Sequence, residues 1–72
     1  MGEVAERLMG DCRTRLELNV RTTDASAPDI LDTLQEAYPS QVVERTLRDL
    51  KDMGALTRRE DRFVWLGGHR DT

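Results

Sequence analysis

The sequence is poor in the residues that build specialised chemistry. Its one cysteine, Cys12, leaves no internal disulfide to form, and its one histidine, His69, has no second ligand at metal-binding spacing. Neither a disulfide framework nor a metal centre is expected, and no cofactor is implied. No Cys-His or Ser-His pair and no phosphate-cradling glycine loop is present, so the expectation is a non-enzyme. Two prolines and five glycines are too few for a low-complexity linker, while 38% hydrophobic and 35% charged residues suit a folded chain better than a disordered acidic one.

Long hydrophobic runs are also missing. The longest, Phe63 to Leu66, falls far short of the roughly 20 residues that cross a bilayer. Glu3, Glu6, Arg7 and Asp11 occupy the stretch where a signal peptide would be apolar. The expectation is a cytoplasmic protein with no membrane contact and no evident small-molecule ligand. A chain of 72 residues makes one small domain. Such a domain buries only about 60% of the surface its unfolded chain exposes, so pairing with a second copy would help, and a homodimer is expected.

Charge is uneven along the chain. Residues 1–39 hold four arginines against eight acids, net −4, whereas residues 40–66 hold five arginines and Lys51 against five acids, net +1. The basic groups therefore lean toward the second half of a chain whose total is −3.

Hydrophobic periodicity supplies the elements. Val43, Leu47, Leu50 and Met53 recur at helical spacing, widened by Val42 and Thr46. Ser40 is placed as an N-cap and Gly54 as the left-handed stop, giving a helix over about 40–53. Ser26 caps an earlier helix, about 27–37, with Pro28 and Asp29 in its first turn and Ile30, Leu31, Leu34, Ala37 and Tyr38 as its stripe. Only Tyr38-Pro39 separates the two, which predicts a tight angled turn. After Gly54, two β-prone stretches, about 55–59 and 62–66, flank Glu60-Asp61. A two-residue loop there would set Leu56 opposite Trp65 and Arg58 opposite Phe63, with Phe63 and Trp65 in the core.

The first 25 residues admit two readings. Ala5, Leu8, Met9, Cys12, Leu16 and Val20 form a helical stripe over about 3–21, while Leu16, Leu18 and Val20 alternate as a strand would. A short strand near Asp24 to Ser26 could then pair with the hairpin. Residues 67–72 are expected to be a flexible tail.

The order helix, helix, turn, helix, hairpin, with Ser26-Ala27-Pro28-Asp29-Ile30 opening the second helix and Val43 to Leu56 preceding the hairpin, resembles winged helix-turn-helix regulators of the ArsR or MarR kind, bacterial or archaeal. The resemblance covers about residues 13–66, and its most specific part is the V-x-x-x-L-x-x-L-x-x-x-G-x-L spacing followed by Thr57 to Phe63. Ala37-Tyr38-Pro39 replaces the glycine common at the turn, and the wing tip also lacks a glycine. The resemblance implies an α+β fold with three helices and a C-terminal wing. It further implies a symmetric dimer that sets the third helix in a DNA major groove and the wing along the backbone, as a repressor or other transcriptional regulator.

The residues of the third helix fit that expectation. With 100° per residue and Val43 at zero, Gln41, Arg45 and Arg48 fall at about 160°, 200° and 140°, opposite the apolar stripe. Ser40, Gln41 and Arg45 are candidates for base edges or phosphates, and Glu44 for a cytosine amino group. Arg48, Arg58, Arg59 and Arg62 are candidates for phosphates. The same positions also suit a solvated ladder in which Glu44 pairs with Arg48, Arg45 with Asp49, and Arg48 with Asp52. Residues 1–12 extend beyond the motif, and Ala5, Leu8, Met9 and Cys12 are candidates for dimerisation. The competing expectation is a winged helix that binds another protein through its acidic half and leaves DNA alone.

Overall fold

In the computed structural model, which describes residues 3–66, three helices precede a β-hairpin. The elements are α1 (Glu3–Thr22), α2 (Ala27–Ala37), α3 (Ser40–Asp52), β1 (Leu56–Arg59) and β2 (Arg62–Trp65). The class is α+β. The tail expected over 67–72, with His69, lies outside the described residues.

α1 settles the ambiguity of the first 25 residues. It is one unbroken helix, with Cys12 and Leu16 wholly buried and Leu18 60% exposed. A strand would have sent Leu16 and Leu18 to the same face. The expected boundary between residues 12 and 13 falls inside this helix. No strand forms at Asp24 to Ser26, and among the described residues the sheet has two strands. What joins that segment to the hairpin is the Ala27 amide, which donates to the Asp61 carbonyl at 2.5 Å.

α2 begins as its sequence dictates. Ser26 is extended and its hydroxyl accepts from the Asp29 amide at 3.3 Å, with Pro28 in the first turn where no amide is needed. Ala27, Ile30 and Leu34 face inward. The helix stops at Tyr38, because the residue before a proline is driven to extended backbone. Tyr38 then buries its ring and donates its hydroxyl hydrogen to the Asp11 carboxylate on α1.

The start of α3 differs from expectation by one residue. Pro39, not Ser40, is the N-cap, and Ser40 is the first helical residue with its side chain exposed. Proline has no side-chain acceptor, so no side chain caps this end. The other end closes as a Schellman motif around Gly54 (φ 76°), with the Gly54 amide donating to Lys51 O at 3.1 Å and the Ala55 amide to Leu50 O at 2.9 Å. Val43, Thr46 and Leu50 are buried, whereas Met53, counted above in the apolar stripe, lies past the last helical residue and is 56% exposed.

The hairpin takes the expected register, with Leu56 opposite Trp65, Thr57 opposite Val64, Arg58 opposite Phe63 and Arg59 opposite Arg62. One further bond, from the Leu66 amide to Ala55 O at 2.8 Å, extends the ladder. Glu60 takes φ 57° at the tip in the absence of a glycine. Leu56 and Phe63 enter the core, and Trp65, expected there too, is only half-buried at its edge. The core is a single cluster in which Cys12 and Leu16 of α1 meet Ile30, Leu34, Tyr38, Val43, Leu50, Leu56 and Phe63.

Candidate nucleic-acid interface

The two ends of α3 fix which of its sides is wet. With Val43, Thr46 and Leu50 locked inward, Ser40, Gln41, Glu44, Arg45 and Arg48 are all exposed on the remaining surface. The ion-pair ladder that would neutralise them is not formed. Among the described residues the ion pairs are Arg21 with Glu17, at 2.8 Å, and Arg62 with Asp24, at 3.2 Å. Among the described residues Arg45 and Arg48 have no carboxylate partner, and both are exposed. At the uncapped start of the helix, the first amides have no side-chain acceptor, an arrangement suited to an anion.

The hairpin divides its arginines between two faces. Residues directly opposite in an antiparallel pair share a face, so Arg58 lies on the side of buried Phe63 while Arg59 and Arg62 lie together on the other. All three are exposed at the tip. Arg58 is anchored by its Nε, which donates to Glu60 O at 3.0 Å. Arg62 reaches across to Asp24, which occupies the guanidinium that the sequence offered to phosphate. Arg59 and Arg62 border a groove of about 570 Å³ with Trp65 and Arg21. Arg21 escaped the sequence reading because it sits in the last turn of α1, far along the chain from the hairpin. Lys51 was missed as well. It lines one shallow cleft with Glu44 and Arg48, and its i, i+3 spacing from Arg48 was the available signal.

The proposed dimerisation residues do not behave as a set. Cys12 is fully buried against its own chain, because it sits on the side of α1 that packs on the core, so it has no surface to offer a second copy. Burial pushes its thiol up from the ordinary value of 9.0, with the adjacent Thr46 hydroxyl opposing and Asp11 adding to the rise. Ala5, Leu8 and Met9 remain half-buried. They line a groove of about 440 Å³ together with Val4, Gln41 and Arg45, so the expected dimer stripe and the start of the expected recognition surface border the same depression.

Among the described residues no group of three or more His, Cys, Asp or Glu side chains is placed to hold a metal ion, and no helix is long and apolar enough to cross a membrane. Compared with protein-family models, with curated proteins and with solved structures, the chain matches none.

Proposed function

We propose that the protein is a winged helix-turn-helix regulator that binds double-stranded DNA sequence-specifically as a homodimer in a prokaryotic cytoplasm. In this reading α2 and α3 are the helix-turn-helix, α3 enters the major groove, and the hairpin is the wing. The observation that carries it is the outward side of α3, where Gln41, Arg45 and Arg48 stand exposed opposite a buried stripe, neither arginine paired with a carboxylate among the described residues. Gln41 and Arg45 read base edges, Glu44 accepts from a cytosine amino group, and Ser40 meets a phosphate at the uncapped helix start. Arg48, Arg58 and Arg59 bind phosphates, and Arg62 joins them by exchanging Asp24 for the backbone.

The test is binding to a duplex across a salt series. Neutralising the four phosphates assigned to Arg48, Arg58, Arg59 and Arg62 gives a slope of log K against log salt of about −3.6 per chain. A flat response refutes the reading. Arg45→Ala should narrow the gap between a selected and a random duplex, while Arg59→Ala should weaken both equally.

One observation favours a protein partner instead. The exposed side of α2 carries Asp29, Asp32 and Glu36 and no basic residue, which repels a phosphate backbone brought close to it. Chemical-shift mapping with duplex DNA at low salt separates the two readings. Shifts confined to residues 40–48 and 57–63 support DNA, and their absence supports a module that recognises a basic protein surface.

A further inference from the structure

The outer edge of β2 is left mostly unpaired by the chain's own backbone. In an antiparallel pair, residues bonded to the partner strand alternate with residues whose amide and carbonyl point away from it. The Leu66 amide donates to Ala55 O, and with Leu56 opposite Trp65 this phases the ladder. Thr57 with Val64 and Arg59 with Arg62 are the bonded pairs, so Phe63 and Trp65 turn their amides and carbonyls to the outer edge. Asp61 lies in the same phase, and its carbonyl already accepts an amide from outside the hairpin, that of Ala27. Past that bond the edge is open. Among the described residues no hydrogen bond from outside the hairpin reaches the backbone of Phe63 or Trp65, and the hairpin's side-chain bonds are those of Arg58 and Arg62.

Phe63 and Trp65 border the groove of about 570 Å³ whose other wall is Val20 and Arg21 of α1. A slot between a strand edge and a helix suits an extended chain, which lies about 4.8 Å from the strand it joins. Charge at this slot is one-sided, with Arg21, Arg59 and Arg62 against Glu60. Arg59 stands directly opposite Arg62, a like-charge pair that costs stability, and Arg59 has no carboxylate partner among the described residues. The pairs of Arg21 with Glu17 and Arg62 with Asp24 are exposed, so either arginine can exchange its partner for another carboxylate at little cost. A second copy of the chain would bring the same arginines to the edge, which disfavours self-pairing. The complementary occupant is acidic.

We propose that the outer edge of β2 binds an acidic, extended segment of a partner protein as a third strand of the sheet. The segment's backbone bonds the amides and carbonyls of Phe63 and Trp65. Its side chains alternate, one set placing carboxylates on the face of Arg59 and Arg62, the other laying apolar groups on the face of Phe63 and Trp65. Arg59 and Arg62 are shared with the DNA-binding reading, but the strand-pairing groups take no part in it.

The probe is the capped peptide acetyl-Glu-Val-Glu-Val-Glu-amide, titrated into the full chain with no DNA present, so that its failure leaves the DNA-binding reading untouched. Saturable shifts of the Phe63 and Trp65 amide signals are expected, with hydrogen exchange at those two amides slowed roughly tenfold in the complex. Trp65 is the one tryptophan, and its fluorescence gives the affinity. The corresponding Lys-Val-Lys-Val-Lys peptide should bind roughly tenfold more weakly, and Arg21→Gln with Arg59→Gln should weaken the acidic peptide about fivefold. Successive amides of an extended chain point to opposite sides, so N-methylating the valines and N-methylating the glutamates should have unequal effects, one abolishing binding and the other tolerated. Binding that survives both methylations would reduce the edge to a charged patch without strand addition and overturn the proposal. Equal binding of the lysine peptide, or no saturable response at Phe63 and Trp65, would overturn it too.

Discussion

Replacing Thr46 by valine should make the protein more stable, and the structure sets the size of the gain. The two side chains have the same shape, and threonine and valine have similar helix propensities, so α3 itself should be indifferent. What changes is a buried hydroxyl. Among the described residues Thr46 Oγ1 has the Cys12 sulfur beside it and no nitrogen or oxygen partner, and a thiol is a weak partner. Leaving a buried hydroxyl unsatisfied costs about 1–3 kcal/mol, and burying a methyl group in its place contributes roughly 0.8 kcal/mol. Allowing for partial compensation by the thiol, the expected gain is about 1–2 kcal/mol. For a domain of this length that corresponds to a rise in melting temperature of roughly 5–15 °C. Thr46→Ser, which keeps the hydroxyl and deletes the methyl, should move the melting temperature the other way. Thermal unfolding followed by circular dichroism measures both. A Thr46→Val protein that melts at or below the parent would refute the reasoning, because it would mean the hydroxyl is satisfied in the folded state.

Among the described residues two backbone positions have positive φ, and they should respond with opposite signs. Gly54→Ala forces a Cβ into the left-handed cap of α3 and should cost about 1–2 kcal/mol, read from a denaturant midpoint. Glu60→Gly relieves the same strain at the hairpin tip and should be neutral to stabilising by up to about 1 kcal/mol. Tyr38→Phe deletes the bond to Asp11, whose carboxylate stays accessible to water, and should cost about 1 kcal/mol. Stability should also fall at alkaline pH. The hydrogen bond to Asp11 holds the Tyr38 phenol above its ordinary 10.0, and burial holds the Cys12 thiol above its ordinary 9.0. Both groups are thus more easily deprotonated in the unfolded chain, so their contribution is complete below pH 9 and is lost as pH rises through the folded values. Urea midpoints between pH 7 and 11 should show the decline, and Tyr38→Phe should flatten its upper part.

Local chemistry written in the sequence determined where most elements lie. The bounds of α2, the glycine stop of α3 and the hairpin register follow from residues within a few positions of each boundary: Ser26 with Pro28, Gly54, and the two-residue loop at Glu60-Asp61. Helical periodicity likewise placed Val43 and Leu50 inside and Gln41, Arg45 and Arg48 outside. Tertiary packing decided what such rules leave degenerate. Leu16, Leu18 and Val20 satisfy two periods at once, and only contact with α2, α3 and β2 selects the helix that exposes Leu18. Cys12 shares a stripe with Leu8 and Met9, but a stripe is wider than one neighbour, and the core took Cys12 alone in full. Each arginine had several carboxylates within reach along the chain, and whether it meets one depends on where other elements end. Arg62 meets Asp24 across 38 positions, while Arg45 and Arg48, flanked by acids in sequence, meet none among the described residues. Patterns near in sequence set backbone form because the interactions behind them are short-ranged, and the surface available for function was set by which faces the three helices and the hairpin used up in covering one another.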